Sequence, residues 1–301
     1  MSDSLKRFEV TQENHGQRID KFLSDRFPEV SRTTVKVLID QDDILVNLQS
    51  VKPSYKVKQG DLIDVYELEL DSREIIPMNL PIEVVYEDDD VLVVNKPSGM
   101  VVHPAPGHYQ DTLVNALMYH IQSLSDGSHP TRPGIVHRID KDTSGLLMVA
   151  KNNFAHDQLA KELQAKKTER TYYALVEGVI KNKSGRIQAP IKRDPQNRKQ
   201  MAVLADGKHA ITHFEVLEQF EKTTLIKCRL ETGRTHQIRV HMKYIGHPVV
   251  NDPIYGHSFD DFGQFLHAKT LGFTHPKTKK WLIFDSELPK EFENYLASLR
   301  H

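Results

Sequence analysis

A chain of 301 residues with 39% apolar and 27% charged side chains has the makeup of a globular protein of about two domains, which excludes a peptide or a disulfide-stapled miniprotein. The formal net charge of −1 gives no global attraction to a polyanion, and no apolar run approaches the roughly 18 residues that a membrane span needs. A single cysteine, Cys228, and a polar start, MSDSLKRFEV, without an apolar signal core set a reducing, cytoplasmic location with no membrane as the expectation.

Residues 9–75 read as a small first domain. RIDKFLSDRF spaces Ile19, Phe22, Leu23 and Phe27 for one helix face. VSRTTVKVLI offers Ser31 as a cap ahead of Val35, Leu38 and Ile39. Three strand-like runs follow, ILVN, VKPSYKV and DLIDVYEL, separated by Gln49-Ser50 and Gly60-Asp61. This helix pair with a small sheet, and the pattern SR…LI…VN…VKPSYKVKQGD, resembles the S4 RNA-binding domain. The resemblance implies that the helix pair and the following loop contact structured RNA, with Arg32, Lys36, Lys52 and Lys56 facing phosphates. The run from Asp40 to Asp43 departs from the family, because acidic residues stand where a glycine turn is usual and would repel phosphate.

Periodicity fades through LELDSREIIPMNLP, so residues 76–82 read as a linker and residues 83–301 as the large domain. Strand-like runs dominate there: IEVVYE, VLVVNK, GLLMVAK, TYYALVEGVI, AITHFEVLEQF, TTLIKCRL and KKWLIFDSEL. Helical patterns intervene at TLVNALMYHIQSL, NFAHDQLAKELQAK and HQIRVHMKYIG. This mixed order predicts an α+β domain on a largely antiparallel sheet, and the absence of GxGxxG and GxxxxGK[ST] leaves nucleotide cofactors without support. Between Lys181 and Lys208 eight Lys or Arg stand against two Asp, a basic excursion suited either to phosphate contact or to plain solvation.

Four polar clusters interrupt the apolar strands. They are NKPSGMVVHPAPGH, holding His103; GIVHRIDKDTSGLLMVAK, holding His137, Arg138 and Asp140; ERTYYALV, holding Tyr172 and Tyr173; and LETGRTHQIRVHMKYIGHPVVNDPIYG. The apolar strand after Asp140 makes its burial plausible, and a buried carboxylate needs a cationic partner, for which Arg239 is the candidate. Asp142 follows too closely to share a face with Asp140 in extended chain, so a two-carboxylate glycosidase is not supported. His236, His241 and His247 lack a metal motif, and no metal site is expected. A hydrolase built on Ser144, His137 and Asp140 lacks the GxSxG elbow.

HRIDKDTSGL is very similar to the HRLDxxTSGL signature of the RluA-type pseudouridine synthases, with Ile139 as a mild variation. The other three clusters match companion motifs of that family in order, and with the S4-like start the layout resembles the RluD-like branch, which modifies large-subunit ribosomal RNA. The resemblance implies isomerisation of uridine to its C5-linked form in structured RNA, most simply 23S ribosomal RNA or its subunit precursor, by a monomer without cofactor or metal. It implies that Asp140 starts glycosidic-bond isomerisation, that Arg239 is its basic partner and that Tyr172 stacks on uracil. Arg138 would enter the helix where the nucleotide leaves it, His137 would support that loop, and Ile238 and Leu146 would line the uracil pocket. The alternatives are a tRNA-directed enzyme of the same family and a non-catalytic RNA-binding or ribosome-assembly protein.

Overall fold

The computed structural model describes residues 6–27, 30, 32–40, 43–65, 75–105, 107–126, 132–197 and 200–300. The chain divides into two compact units, residues 1–74 and 75–301.

In the small unit, α1 (Ile19–Arg26) and α2 (Arg32–Asp40) pack Phe22, Leu23, Val35 and Ile39 against Ile44, Val46, Ile63 and Val65. The sheet has the order β1-β3-β2, with β1 (Lys6–Glu9) and β2 (Ile44–Val46) both antiparallel to β3 (Leu62–Val65). Strand β1 lies ahead of the expected start of the domain. The run VKPSYKV, read from sequence as a strand, is a turn instead. Its Tyr55 hydroxyl and the amide of Lys58, just beyond it, both donate to Asp61 Oδ2, at 2.9 and 2.8 Å, and Asn47 donates to Oδ1 at 2.9 Å. A carboxylate that gathers three donors holds the loop in place of a ladder. The Ser31 cap, with Gln41 and Asp42 of the acidic run, lies outside the described residues; Asp40 is exposed, whereas Asp43 is buried and presents no carboxylate to a ligand.

Asp20 is fully buried and accepts from Arg18 at 2.9 and 3.1 Å and from Arg32 at 3.2 Å. The Arg18 hydrogen bond, with help from Arg32 and against the cost of burial, pulls its carboxyl down to about 2. A depressed carboxyl stabilises the fold above its unfolded value and loses that contribution as pH falls through the folded one. Acid unfolding of the chain should therefore show about 1–2 kcal/mol of lost stability between roughly pH 4 and pH 2. Asp20→Asn should flatten that segment of the curve, and an unchanged acid profile in the variant would refute the assignment.

The large unit is built on a nine-stranded sheet ordered β4-β5-β6-β13-β7-β12-β11-β8, with β14 paired to β13. The strands are β4 (Glu83–Glu87), β5 (Val91–Lys96), β6 (Ser144–Ala150), β7 (Glu169–Glu177), β8 (Ser184–Gln188), β11 (Ile211–Gln219), β12 (Thr223–Leu230), β13 (Leu266–Thr274) and β14 (Trp281–Asp285). Every pairing is antiparallel except β13 with β6. At that parallel junction Gly145 has φ +112°, and an added Cβ would meet the backbone of Ala268, so only glycine lets β13 approach. The basic excursion forms β8 and a separate hairpin, β9 (Ile191–Arg193) with β10 (Met201–Val203).

Helices cover both faces. α3 (Leu113–His120) and α5 (Gln237–Tyr244) contribute Leu113, Leu117, Ile238 and Met242 to the core that holds Leu147, Val149, Tyr172 and Ala174. α4 (Asn153–Gln164) packs Ala155 and Leu159 on the opposite face with Leu146 and Met148. α6 (Lys290–Leu299) closes one end through Phe292 and Leu296. Residues 76–82, expected as a linker, belong to the large unit: Asn115 donates to Ile76 O at 2.9 Å, and the Met78 amide donates to Asn115 O at 2.9 Å.

Candidate active site

The loop before β6 carries Asp140, and α5 carries Arg239 in its first turn, so the sheet and the helix bring residues 99 apart in sequence into contact. Arg239 Nη1 donates to Asp140 Oδ2 at 2.9 Å, while Nε and Nη2 donate to Asp252 at 2.6 and 2.8 Å. Asp252 is fully buried and also accepts the backbone amides of Ile254 and Tyr255, each at 2.9 Å. The guanidinium is thereby locked by a fork on one side and presents a single N–H to Asp140 on the other.

Burial by itself would raise the Asp140 carboxyl. The pull of the His236 ring, the charges of Arg239 and Arg138 and the Arg239 hydrogen bond outweigh it and hold the carboxyl below the usual value. Burial likewise opposes the charge on Arg239, but Asp252 and Asp140 more than reverse that and hold the proton firmly. The site therefore keeps an ionised carboxylate with one oxygen, Oδ2, engaged and Oδ1 turned toward His236, whose Nε2 lies 3.9 Å away.

Several contacts fix the Asp140 loop. Lys96, 1% exposed, donates its ammonium to the carbonyls of Pro97, Met100 and Lys141 at 2.7, 2.8 and 2.8 Å. Burial draws that ammonium down to about 7, against the pull of Asp142 and Asp140. Ser98 Oγ lies between two carbonyls, 2.6 Å from Phe262 O and 3.0 Å from Asp142 O, and shares its proton between them. His137 Nε2 accepts the Met148 amide at 3.1 Å, and burial, aided by the Arg170 charge, lowers its imidazole to about 3. His137 is thus a neutral strut holding the loop to β6.

Tyr172 on β7 is buried with Ile238 in the core beneath the site, its phenol raised by burial and close enough to feel the opposing charges of Arg170 and Asp140. Arg138 is exposed. Leu146 corrects the expectation from sequence. Successive side chains on β6 alternate, so Leu146 joins the α4 face with Met148, and Leu147 and Val149 share the face of Tyr172. It cannot line a pocket at Asp140.

Arg32, Lys36, Lys52 and Lys56 are all exposed on the small unit, with Arg32 tethered to Asp20. Ser144 Oγ bonds His267 Nδ1 at 2.8 Å, whose Nε2 meets Ser286 at 2.8 Å, so the Ser144, His137 and Asp140 arrangement does not form. His241 bonds Thr212 and Ala189 O, and His247 bonds Glu177 O, so the three histidines weighed as ligands face different partners. Asp88, Asp90 and His275 also gather, but His275 Nδ1 accepts the amides of Lys277 and Thr278, leaving Nε2 protonated toward Asp88.

Asp252, Tyr255 and Lys96 carry no signal of their roles in the sequence, where His236 is one of several histidines. The segment NDPIYG held the first two, although nothing in its spacing revealed a partner for Arg239.

An ionised carboxylate clamped by a locked arginine, in a chain with a separate small helix–sheet unit, marks an enzyme with an added recognition module. Residues 90–244 match the family model described as RNA pseudouridylate synthase, and residues 17–63 match the S4 domain. The chain is 50% identical over 293 residues to an uncharacterized RNA pseudouridine synthase of Bacillus subtilis, covering 97% of each. It is 42% identical over 317 residues to the ribosomal large subunit pseudouridine synthase D of Pseudomonas aeruginosa, covering 100% of this chain and 98% of that one. Among solved structures, human RNA pseudouridylate synthase domain containing 1 superposes with a TM-score of 0.58 at 25% identity, covering 73% of this chain and 95% of that one. The chain belongs to the RNA pseudouridine synthase family and is an isomerase of that class, with an S4 domain at its N-terminal end. Among the described residues no helix is long and apolar enough to cross a membrane.

Proposed function

We propose that this chain converts specific uridines of large-subunit ribosomal RNA to pseudouridine in the cytoplasm, with Asp140 as the group that opens the glycosidic bond. The observation carrying this reading is the Asp140–Arg239 contact, which falls within the matched residues 90–244 together with Tyr172. The substrate class is supported by relatives named ribosomal large subunit pseudouridine synthase D, 42% identical in Zymomonas mobilis and in Pseudomonas aeruginosa.

The chemistry needs the N1–C1′ bond broken, the uracil held and turned, and C5 joined to C1′. Asp140 can begin it either by attack on C1′ or by removal of the C2′ proton, and both routes require the ionised carboxylate that Arg239 maintains. Tyr172 supplies a ring against which the base stacks, and its burial keeps water from the detached intermediate. Arg138, exposed beside Asp140, fills the gap left by the extruded nucleotide, offsetting an unstacking cost of a few kcal/mol. Arg32, Lys36, Lys52 and Lys56 on the S4 domain hold the surrounding RNA through phosphates.

Pseudouridine mapping of total RNA from cells with and without the gene tests the proposal. Discrete large-subunit positions should be lost on deletion and restored by the wild-type gene. Loss confined to tRNA would overturn the substrate assignment, and no lost position would overturn the function.

A further inference from the structure

Resting on the reading of Asp140 as the reacting carboxylate, we infer that His236 is a further catalytic residue: a neutral imidazole whose Nε2–H donates to the uracil while the glycosidic bond is open.

Three hydrogen-bonding groups fix its tautomer. The Met201 amide donates to the Tyr255 oxygen at 2.7 Å, and the same oxygen lies 2.8 Å from His236 Nδ1. Among the described residues the buried Tyr255 hydroxyl has an acceptor for its own proton only if Nδ1 is unprotonated, so Tyr255 O–H donates to Nδ1 and the ring proton resides on Nε2. That N–H looks toward Asp140 Oδ1 across 3.9 Å, beyond hydrogen-bond length. The separation leaves the donor available to a ligand atom beside the carboxylate. Burial presses the imidazole toward its uncharged form, so it remains a donor without competing with Arg239 for Asp140.

The backbone is arranged to place this ring. His236 adopts φ 54° and ψ 22°, the left-handed region that costs a non-glycine residue free energy, immediately before α5. No side-chain cap bond to the helix accompanies it. Its carbonyl still accepts the Val240 amide at 2.9 Å to start the helix, while the side chain, unused as a cap, places Nε2 3.9 Å from Asp140 Oδ1.

The chemistry supplies the acceptor. When the N1–C1′ bond breaks, its electron pair leaves with the uracil and spreads over N1 and the carbonyl oxygens. The carbon lost to the base either bonds to Asp140 or is neutralised by passage of the C2′ proton to Asp140. In either case O2, the exocyclic oxygen next to N1, gains negative charge beside the carboxylate. A fixed N–H donor at that position stabilises the charge as it develops, without transferring its proton.

The test compares His236→Leu, His236→Gln, Tyr255→Phe and Asp140→Asn as full-length proteins. Single-turnover pseudouridine formation is read on RNA extracted from cells lacking the gene, with affinity for deproteinised large-subunit RNA measured separately. His236→Leu should lower the single-turnover rate roughly 100-fold with affinity unchanged. His236→Gln, whose amide N–H can stand where Nε2–H stood, should recover to within roughly tenfold of wild type. In ¹⁵N spectra the His236 ring, identified by its loss in the substituted proteins, should carry its proton on Nε2 in wild type and on a mixture of nitrogens in Tyr255→Phe.

A His236→Leu rate within roughly twofold of wild type, or a ring protonated at Nδ1, overturns the inference. Should His236→Leu fail to fold, Tyr255→Phe decides: an unchanged rate and an unchanged tautomer also overturn it. If Asp140→Asn turns over, the underlying reading fails; if Asp140→Asn is inactive while the folded His236 variants are unaffected, only the role of His236 fails.

Discussion

Asp140→Asn should yield a folded protein that binds RNA and forms no measurable pseudouridine. The replacement keeps the size of the side chain and an oxygen that can still accept from Arg239 Nη1, so the 2.9 Å contact and the loop around it have no reason to open. What disappears is the negative charge, and with it both the nucleophile and the base. The single-turnover rate should fall by at least roughly 10⁴-fold while RNA affinity stays within roughly twofold. Release of tritium from C5-labelled uridine in the RNA measures the rate, and filter binding measures affinity. Turnover in the purified variant at more than about one-hundredth of the wild-type rate would remove Asp140 from the chemistry.

Arg239→Met should be costly to stability as well as to activity, and for a separable reason. Arg239 is the buried cation between two carboxylates, and Asp252 on its far side is fully buried. Its removal leaves Asp252 charged with only two backbone amides, so urea unfolding should show a loss of about 3–5 kcal/mol. Combining Arg239→Met with Asp252→Leu should return much of that stability, because the stranded charge has gone. Activity should not return, since Asp140 still lacks the charge that keeps its carboxyl low; any residual rate should fall away at a higher pH than in wild type. Equal stability of the single and double variants would show that Asp252 does not depend on Arg239.

The parts of this architecture readable from sequence are those whose cause is local. The helices around Phe22 and Leu38, and the strands IEVVYE, VLVVNK and TTLIKCRL, carry their periodicity in a few consecutive residues. The Asp140–Arg239 contact was legible as a chemical need, because a carboxylate before an apolar strand requires a cation and α5 offers an arginine. Strand β13 was not legible: LHAKTLGFT is packed between strands and includes a histidine, an alanine and a glycine at positions where a half-exposed strand would show alternation.

Leu146 shows a subtler failure. Every residue of β6 is buried, and after Ser144 at its start the strand has no polar side chain to say which face meets which core. The side is decided by α4 on one face and by α3 with α5 on the other. Asp252 escaped notice because its meaning depends on Arg239 lying across a turn. Tyr255 did so because its hydroxyl is fixed by the backbone of Met201, in a hairpin that read only as a basic excursion.

The ammonium of Lys96 touches three main-chain oxygens and no side-chain atom among its hydrogen-bond partners. A tether of that kind is indifferent to which residues occupy the positions it grips. Substitutions at Met100 or Lys141 leave a carbonyl in the same place, so the segment flanking Asp140 can change its outward character, and with it the RNA it meets, without shifting the carboxylate. For this tether the requirement falls on the lysine, and the side chains at positions 100 and 141 are left to other demands.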